Sequence, residues 1–185
     1  MNNIVINSVE ALLFGSGRPM RLSEIKNILE NSGFIIELSE IKKSINELEF
    51  RYEGTSLEIK EVASGFRLQI KEVHSKSLSL MWNEKAPRTS KALMETISII
   101  AYKQPVTRGD IEDIRGITVS TRIIRSLLER NWIKVSGYKD VPGRPAMYVT
   151  TKEFLNDLNL KNISELPELP TLKETEKEDL LSKAV

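Results

Sequence analysis

"LEIKEVASGFRLQI", residues 57–70, is where the sequence changes period from that of a helix to that of a strand. Leu57 and Ile59 alternate with Glu58 and Lys60, and after "ASG" the alternation resumes with Phe66, Leu68 and Ile70. Side chains two apart share one face of a strand, so both runs turn an apolar face toward the same layer. Gly65 can supply the positive φ that a tight turn needs. The stretch is read as a two-stranded hairpin.

Three helical patterns precede it. "NIVINSVEALLF", residues 3–14, carries one charge, Glu10, among Ile4, Val5, Ile6, Val9, Leu12, Leu13 and Phe14. A surface helix needs an apolar stripe of only ~100°, and this one is apolar on nearly every side. "RPMRLSEIKNILENSG", 18–33, is a turn and a second helix with Leu22, Ile25, Ile28 and Leu29 on one face and Gly33 as its stop. "LSEIKKSINELEFRY", 38–52, spaces Leu38, Ile41, Ile45, Leu48 and Tyr52 by three and four, which predicts a third helix. Three helices followed by a hairpin is the winged-helix order.

Residues 72–87, "EVHSKSLSLMWNEKAP", form a connector, helical through Leu78 to Trp82 and ended by Pro87. The plan then repeats. Thr89 or Ser90 caps "KALMETISIIAYKQ", with Leu93, Ile97 and Ile100 as the buried stripe widened by Met94 and Ile99. "TRGDIEDIRG", stopped by Gly116, is a second helix, and "VSTRIIRSLLERNW" a third with Val119, Ile123, Ile124, Leu127 and Leu128 inside. "WIKVSGYK" and "PAMYVT" are the strands of a second wing. "PMRLSEI" at 19–25 and "PVTRGDI" at 105–111 share proline, an apolar residue, three variable positions, an acid and isoleucine in the same order. Proline fixes the turn out of the first helix, and the acid sits in the first turn of the second, where the helix dipole favours it. The expected architecture is mostly α with small β-wings (α+β): a winged-helix unit over 1–72, a connector over 73–88, a second unit over 89–160 and a flexible acidic tail over 161–185.

Composition excludes more than it selects. The 185 residues are 40% hydrophobic and 29% charged, with formal net charge +1. No field over the whole chain could gather nucleic acid. By region the net is −1 over 1–87, +5 over 88–151 and −3 over 152–185, so only the middle block could attract phosphate. The absence of cysteine excludes disulfides, thiolate metal sites and thiol nucleophiles. The N-terminus reads as no export signal, and no apolar run approaches the ~18 residues of a membrane helix, so a cytoplasmic protein is expected.

A catalytic centre is not expected, nor a metal or cofactor site. The single histidine, His74, lies in the connector and is read as an ordinary surface residue. "GSG" at 15–17 follows a helix and has Met20 where a third glycine would stand, so it is no dinucleotide fingerprint.

The second wing's loop, "KDVPGRPAMYVTT" (139–151), could in principle cradle phosphate, enter a DNA groove or serve a protein partner. Pro142 and Pro145 remove two of the amide donors a cradle requires. "GRP" resembles arginine hooks of the minor groove, but this one sits in a hairpin beside Asp140. Pro142 and Pro145 stiffen the tip, Gly143 permits the bend, and Arg144 is either a partner contact or an intramolecular anchor. Tyr148 is read as packing into the second core, since Met147 and Tyr148 alternate in and out.

On the third helix of the second unit, Arg122 and Arg125 share the outward face with Glu129. With Arg144 they are the candidate DNA contacts of an alternative reading, a winged-helix regulator or architectural protein. The corresponding face of the first unit mixes Lys42, Lys43 and Arg51 with Glu40, Glu47 and Glu49, which is no phosphate reader. The surplus apolar surface of each first helix points instead to protein partners. Two-fold pairing of the N-terminal unit is the economical expectation, with Val5, Val9, Leu12 and Leu13 as interface candidates.

"EALLFGSGRPMRLSEI", "SIIAYKQPVTRGDIEDIRG", "IRSLLERNWIKVSGYKDVPGRPAMYVTTKEFL" and "LNDLNLKNISELPEL" together resemble the segregation and condensation protein B family, the kleisin-associated subunit of bacterial condensin. The resemblance spans about residues 9–170, and "DVPGRPAMYVTTKEFL" is its most specific part. It implies two tandem winged-helix domains, a homodimer formed through the N-terminal ones, and binding of the kleisin ScpA. It further implies contact with SMC through the kleisin, a role in chromosome partition in the cell cycle and cell division, and nucleoid association with DNA touched only indirectly or weakly. Tyr102, Pro142, Gly143, Arg144 and Pro145 are the partner-binding or wing-tip candidates.

Overall fold

A computed structural model describes residues 3–81 and 89–169. The first unit is α1 (Asn3–Ser16), α2 (Leu22–Asn31), α3 (Leu38–Tyr52), β1 (Leu57–Val62) and β2 (Gly65–Ile70). The strands pair antiparallel, with Leu57 opposite Ile70, Ile59 opposite Leu68 and Val62 opposite Gly65. Ile6, Val9, Ile25, Ile41, Ile45 and Leu48 are fully buried in one cluster, against which β1 and β2 lay Ile59 and Phe66. Each such side chain contributes roughly 1.5–3 kcal/mol by leaving water.

Gly65 is fixed by a close approach. Met20 and Phe66 exchange backbone hydrogen bonds, both 2.8 Å, which draws the turn before α2 onto the hairpin. Gly65 has φ +132°, and a Cβ there would lie 2.2 Å from the Met20 carbonyl oxygen. No other residue fits without moving backbone.

A 3-10 turn, Glu72–His74, and the helix α4 (Ser75–Met81) follow, with no buried residue in either. Helix 78–82 was expected here; the observed helix starts earlier, and Trp82 and the Pro87 stop lie outside the described residues. The second unit comprises α5 (Lys91–Lys103), β3 (Val106–Thr107), α6 (Arg108–Arg115), α7 (Thr121–Glu129), β4 (Ile133–Tyr138) and β5 (Ala146–Thr150). Ser90 is the cap of α5, its Oγ accepting from the Leu93 N–H at 3.2 Å. Thr107 and Asp110 form a capping box on α6, which ends at Gly116 in the left-handed region, φ +69°. Its core gathers Leu93, Ile97, Ile100, Ile111, Val119 and Leu127, and Tyr148 packs against it half-buried.

The sheet here has three strands in the order β3-β5-β4, with Val106 opposite Tyr148 and Thr107 opposite Met147. The matched "PMRLSEI" and "PVTRGDI" segments thus do the same job. After each proline the backbone pairs with the inner wing strand, then enters the second helix.

Three differences from the sequence reading are corrections. Leu38, Met94 and Leu128, read as inward, are exposed, because each lies on the flank of its helix's buried stripe, and Ile70 is exposed at the end of β2. A further helix, α8 (Lys152–Asp157), follows the second wing, capped by Thr151. Residues 161–169, assigned by sequence to the flexible tail, pack on the second unit. Ile163 and Leu166 lie against its core, and the Tyr102 hydroxyl donates to the Pro167 carbonyl. Residues 170–185, the rest of that tail, lie outside the described residues.

Candidate partner-binding surfaces

Helix α1 separates what the sequence could not. Val9 and Leu13, read as dimer-interface candidates, are 0% and 2% exposed and belong to the unit's own core. Val5 and Leu12 are half-buried against the same core. The outward face instead carries Ile4, Ala11 and Phe14, with Phe14 73% exposed. Burial in the unit's own core removes Val9 and Leu13 from the interface candidates, while Val5 and Leu12 keep part of their surface open to solvent. Phe50 on α3 and Ile35 before it are also exposed.

The orientation of α1 is held by polar bonds at its edge. The Tyr52 hydroxyl donates to the Glu10 carboxylate, and Arg51 Nη1 reaches Glu10 Oε2 at 3.0 Å and Asn7 Oδ1 at 3.4 Å. Burial, reinforced by the Glu10 carboxylate, pushes the Tyr52 hydroxyl up to about 12. These bonds tie Glu10, the single charge of the helix, to the end of α3.

In the second wing, the Arg144 N–H donates to the Val141 carbonyl at 2.9 Å, closing a turn with Pro142 and Gly143 at its centre. Gly143 has φ +84° and Arg144 φ +37°. This is the proline–glycine chemistry of a type II turn. The Lys139 N–H donates to the Pro145 carbonyl at 2.9 Å, and Lys139 Nζ binds Asp110 Oδ1 at 2.9 Å. Lys139, with the Thr107 donors, holds the Asp110 carboxyl at about 2. The loop is therefore bolted to the start of α6 through Lys139. The Arg144 side chain is exposed and makes no bond among the described residues.

Of the other candidates, Tyr102 is half-buried with its hydroxyl engaged by Pro167, so it pins residues 163–167 on α5. Arg122 and Arg125 stand exposed on α7, without ion pairs among the described residues. A shallow groove of about 550 Å³ runs along α5 between Lys91, Met94, Glu95, Ser98, Ile99 and Arg115. The Arg115 side chain is 6% exposed, binds Glu95 at 2.9 Å through Nη2, and leaves its Nε without an acceptor among the described residues. Sequence reading did not single out Arg115, since nothing in its local pattern marks its side chain as buried. It also missed Phe14, which the phase of α1 would have exposed had one core residue of that helix been known.

Among the described residues no group of three His, Asp or Glu side chains could hold a metal, and no helix is long and apolar enough to cross a membrane. Two helical units, each three helices followed by a hairpin wing, define a tandem winged-helix protein. The profile of the family described as segregation and condensation complex subunit ScpB matches residues 7–169, and the chain belongs to that family. It is 43% identical over 165 residues to a segregation and condensation protein B homolog of Coxiella burnetii, covering 89% of this chain and 71% of that one. Segregation and condensation protein B of Clostridium tetani is 41% identical over 174 residues, 93% of this chain and 90% of the relative. A solved dimer of the ScpB N-terminal domain complexed with an ScpA peptide aligns at 29% identity and TM-score 0.38, over 43% of this chain and 95% of that one.

Proposed function

We propose that this chain is a non-enzymatic adaptor subunit of a condensin-like SMC–kleisin complex. It pairs with a second copy through residues 1–72 and binds an extended segment of the kleisin ScpA, reaching SMC through it. The assembly acts in chromosome condensation and partition during cell division, in the cytoplasm at the nucleoid. The family match across residues 7–169 carries this reading. Its physical support is the exposed apolar face of α1 around Phe14, which an isolated unit gains nothing by presenting to water. An extended partner of this kind is held by strand or helix-groove contacts, and the α5 groove and the stiff second wing are the surfaces suited to it. Co-expression with ScpA followed by size-exclusion chromatography tests the reading. Wild-type chain should co-elute with the kleisin, and Phe14→Asp should shift the free chain toward the monomer. Separate elution of wild-type chain and kleisin would remove the proposal.

A further inference from the structure

The tip of the first hairpin is occupied. The Ala63 N–H donates to the Leu160 carbonyl at 2.9 Å, and the Ser64 N–H to Asn156 Oδ1 at 3.1 Å. Asn156 Nδ2 donates back to Ser64 Oγ at 2.9 Å. Arg67 Nη2 reaches the Asn156 carbonyl at 3.1 Å and also the Asn159 side-chain oxygen. Lys161 Nζ binds Glu61 Oε2 at 2.8 Å. Every one of these bonds crosses from the first unit to the segment that ends the second.

Both sides are built for the contact. Asn159 takes a left-handed conformation, φ +58°, and the Leu160 N–H returns to the Leu155 carbonyl at 2.8 Å. That turn aims the Asn156 and Leu160 carbonyls out of the end of α8. On the wing, Gln69 Oε1 accepts from Arg67 Nε at 2.8 Å, and Gln69 Nε2 donates to Glu58 at 2.8 Å, which orients the guanidinium toward α8. Asn156 is 2% exposed, and its amide finds its partners in Ser64 and, within α8, Glu153. A buried amide is costly unless bonded, so removing the wing would strand it. Salt bridges at a rim contribute little alone, and the buried amide is what makes this seam specific.

We infer that the first wing is a docking edge for the second unit: a polar clamp centred on Asn156 that fixes the two winged-helix units at one angle. A wing used in this way cannot also lie against a duplex, so the first unit is closed to nucleic acid at its hairpin tip. Units joined only by a linker move relative to one another by default. The clamp removes that freedom and sets the spacing at which the two units present their partner surfaces.

The chain has no cysteine, so two spin labels can be placed without further change. Lys43→Cys on α3 and Lys134→Cys on β4 are exposed positions away from the seam. Labelled full chain, diluted into excess unlabelled chain so that only intrachain pairs report, is measured by double electron–electron resonance. The clamp predicts one narrow distance distribution. Arg67→Ala with Lys161→Glu, and separately Asn156→Ala, should widen it at least about twofold while helical circular dichroism stays unchanged. The first variant removes the part-buried bond of Arg67 to the Asn156 carbonyl and the exposed Lys161–Glu61 pair without touching Asn156 itself, so it decides the matter even if Asn156→Ala perturbs folding. A distribution already broad in the wild type, or one the Arg67→Ala/Lys161→Glu variant leaves narrow, overturns the clamp.

Discussion

The two winged-helix units share a plan and differ in what they show to solvent. In the first, the pairing of the turn before α2 with the wing is one bridge, Met20 with Phe66; in the second it is the strand β3 on β5. The acid in the first turn of the second helix also differs in use. Glu24 pairs with Arg18 beside it, whereas Asp110 closes a capping box and holds the wing through Lys139. The first unit exposes Phe14, Ile35 and Phe50, and its wing tip is occupied by α8 and the turn after it. The second exposes Arg122, Arg125 and Arg144 beside Ile114, Ile117 and Tyr138, and the Arg144 side chain at its wing tip makes no bond among the described residues. A shared core fixes the fold in both, and the surfaces have diverged because packing does not constrain them.

Core truncation is the severest test of that comparison. Ile45→Ala in the first unit and Ile100→Ala in the second, both fully buried, should each cost about 2–5 kcal/mol in denaturant unfolding. A loss under about 1 kcal/mol at either site would deny that unit a packed core. Next come the wing glycines. Gly65→Ala meets the Met20 carbonyl at 2.2 Å and should cost roughly 3 kcal/mol, while Gly143→Ala, with open space around its Cβ, should cost about 1 kcal/mol from its positive φ alone. Equal costs would mean that the two wings are held alike.

Asp110→Asn should destabilise the protein by about 1 kcal/mol at pH 7, after discounting for its partial exposure to solvent. Because folding depresses this carboxyl to about 2, its contribution is complete above its unfolded value near 4 and is lost as pH falls from there toward 2. Thermal melts of wild type and variant should therefore converge across that window. The smallest expected effect is that of Arg122→Ala with Arg125→Ala, within about 0.5 kcal/mol of wild-type stability, since both side chains are exposed and without ion pairs among the described residues. If the second unit touches DNA, the same pair should lower the salt dependence of binding by about two phosphate contacts. A steep salt dependence unaffected by the pair would put any DNA site elsewhere.

The fold was legible wherever a period ran long enough to read. The change at residues 57–70, the stripes of α2 and α3 and the repeated plan follow from side-chain spacing alone. The strand β3 has two residues and α8 has six, too few to show a period. Helix α1 failed in another way. Apolar residues all round it hid which stripe meets the core, and only packing against α3 decides that Val9 and Leu13 face inward and Phe14 outward. Neither Ser64 nor Asn156 carries any local signal of the seam they form across 92 residues. Long-range polar complementarity is written in three dimensions.

Multi-angle light scattering on the chain alone and mixed with ScpA puts the adaptor role to its most direct trial. Twice the 21.0 kDa chain mass when free, and a larger complex still containing two copies when ScpA is present, is the expected result. A 21.0 kDa particle at high concentration that leaves ScpA in a separate peak would contradict it.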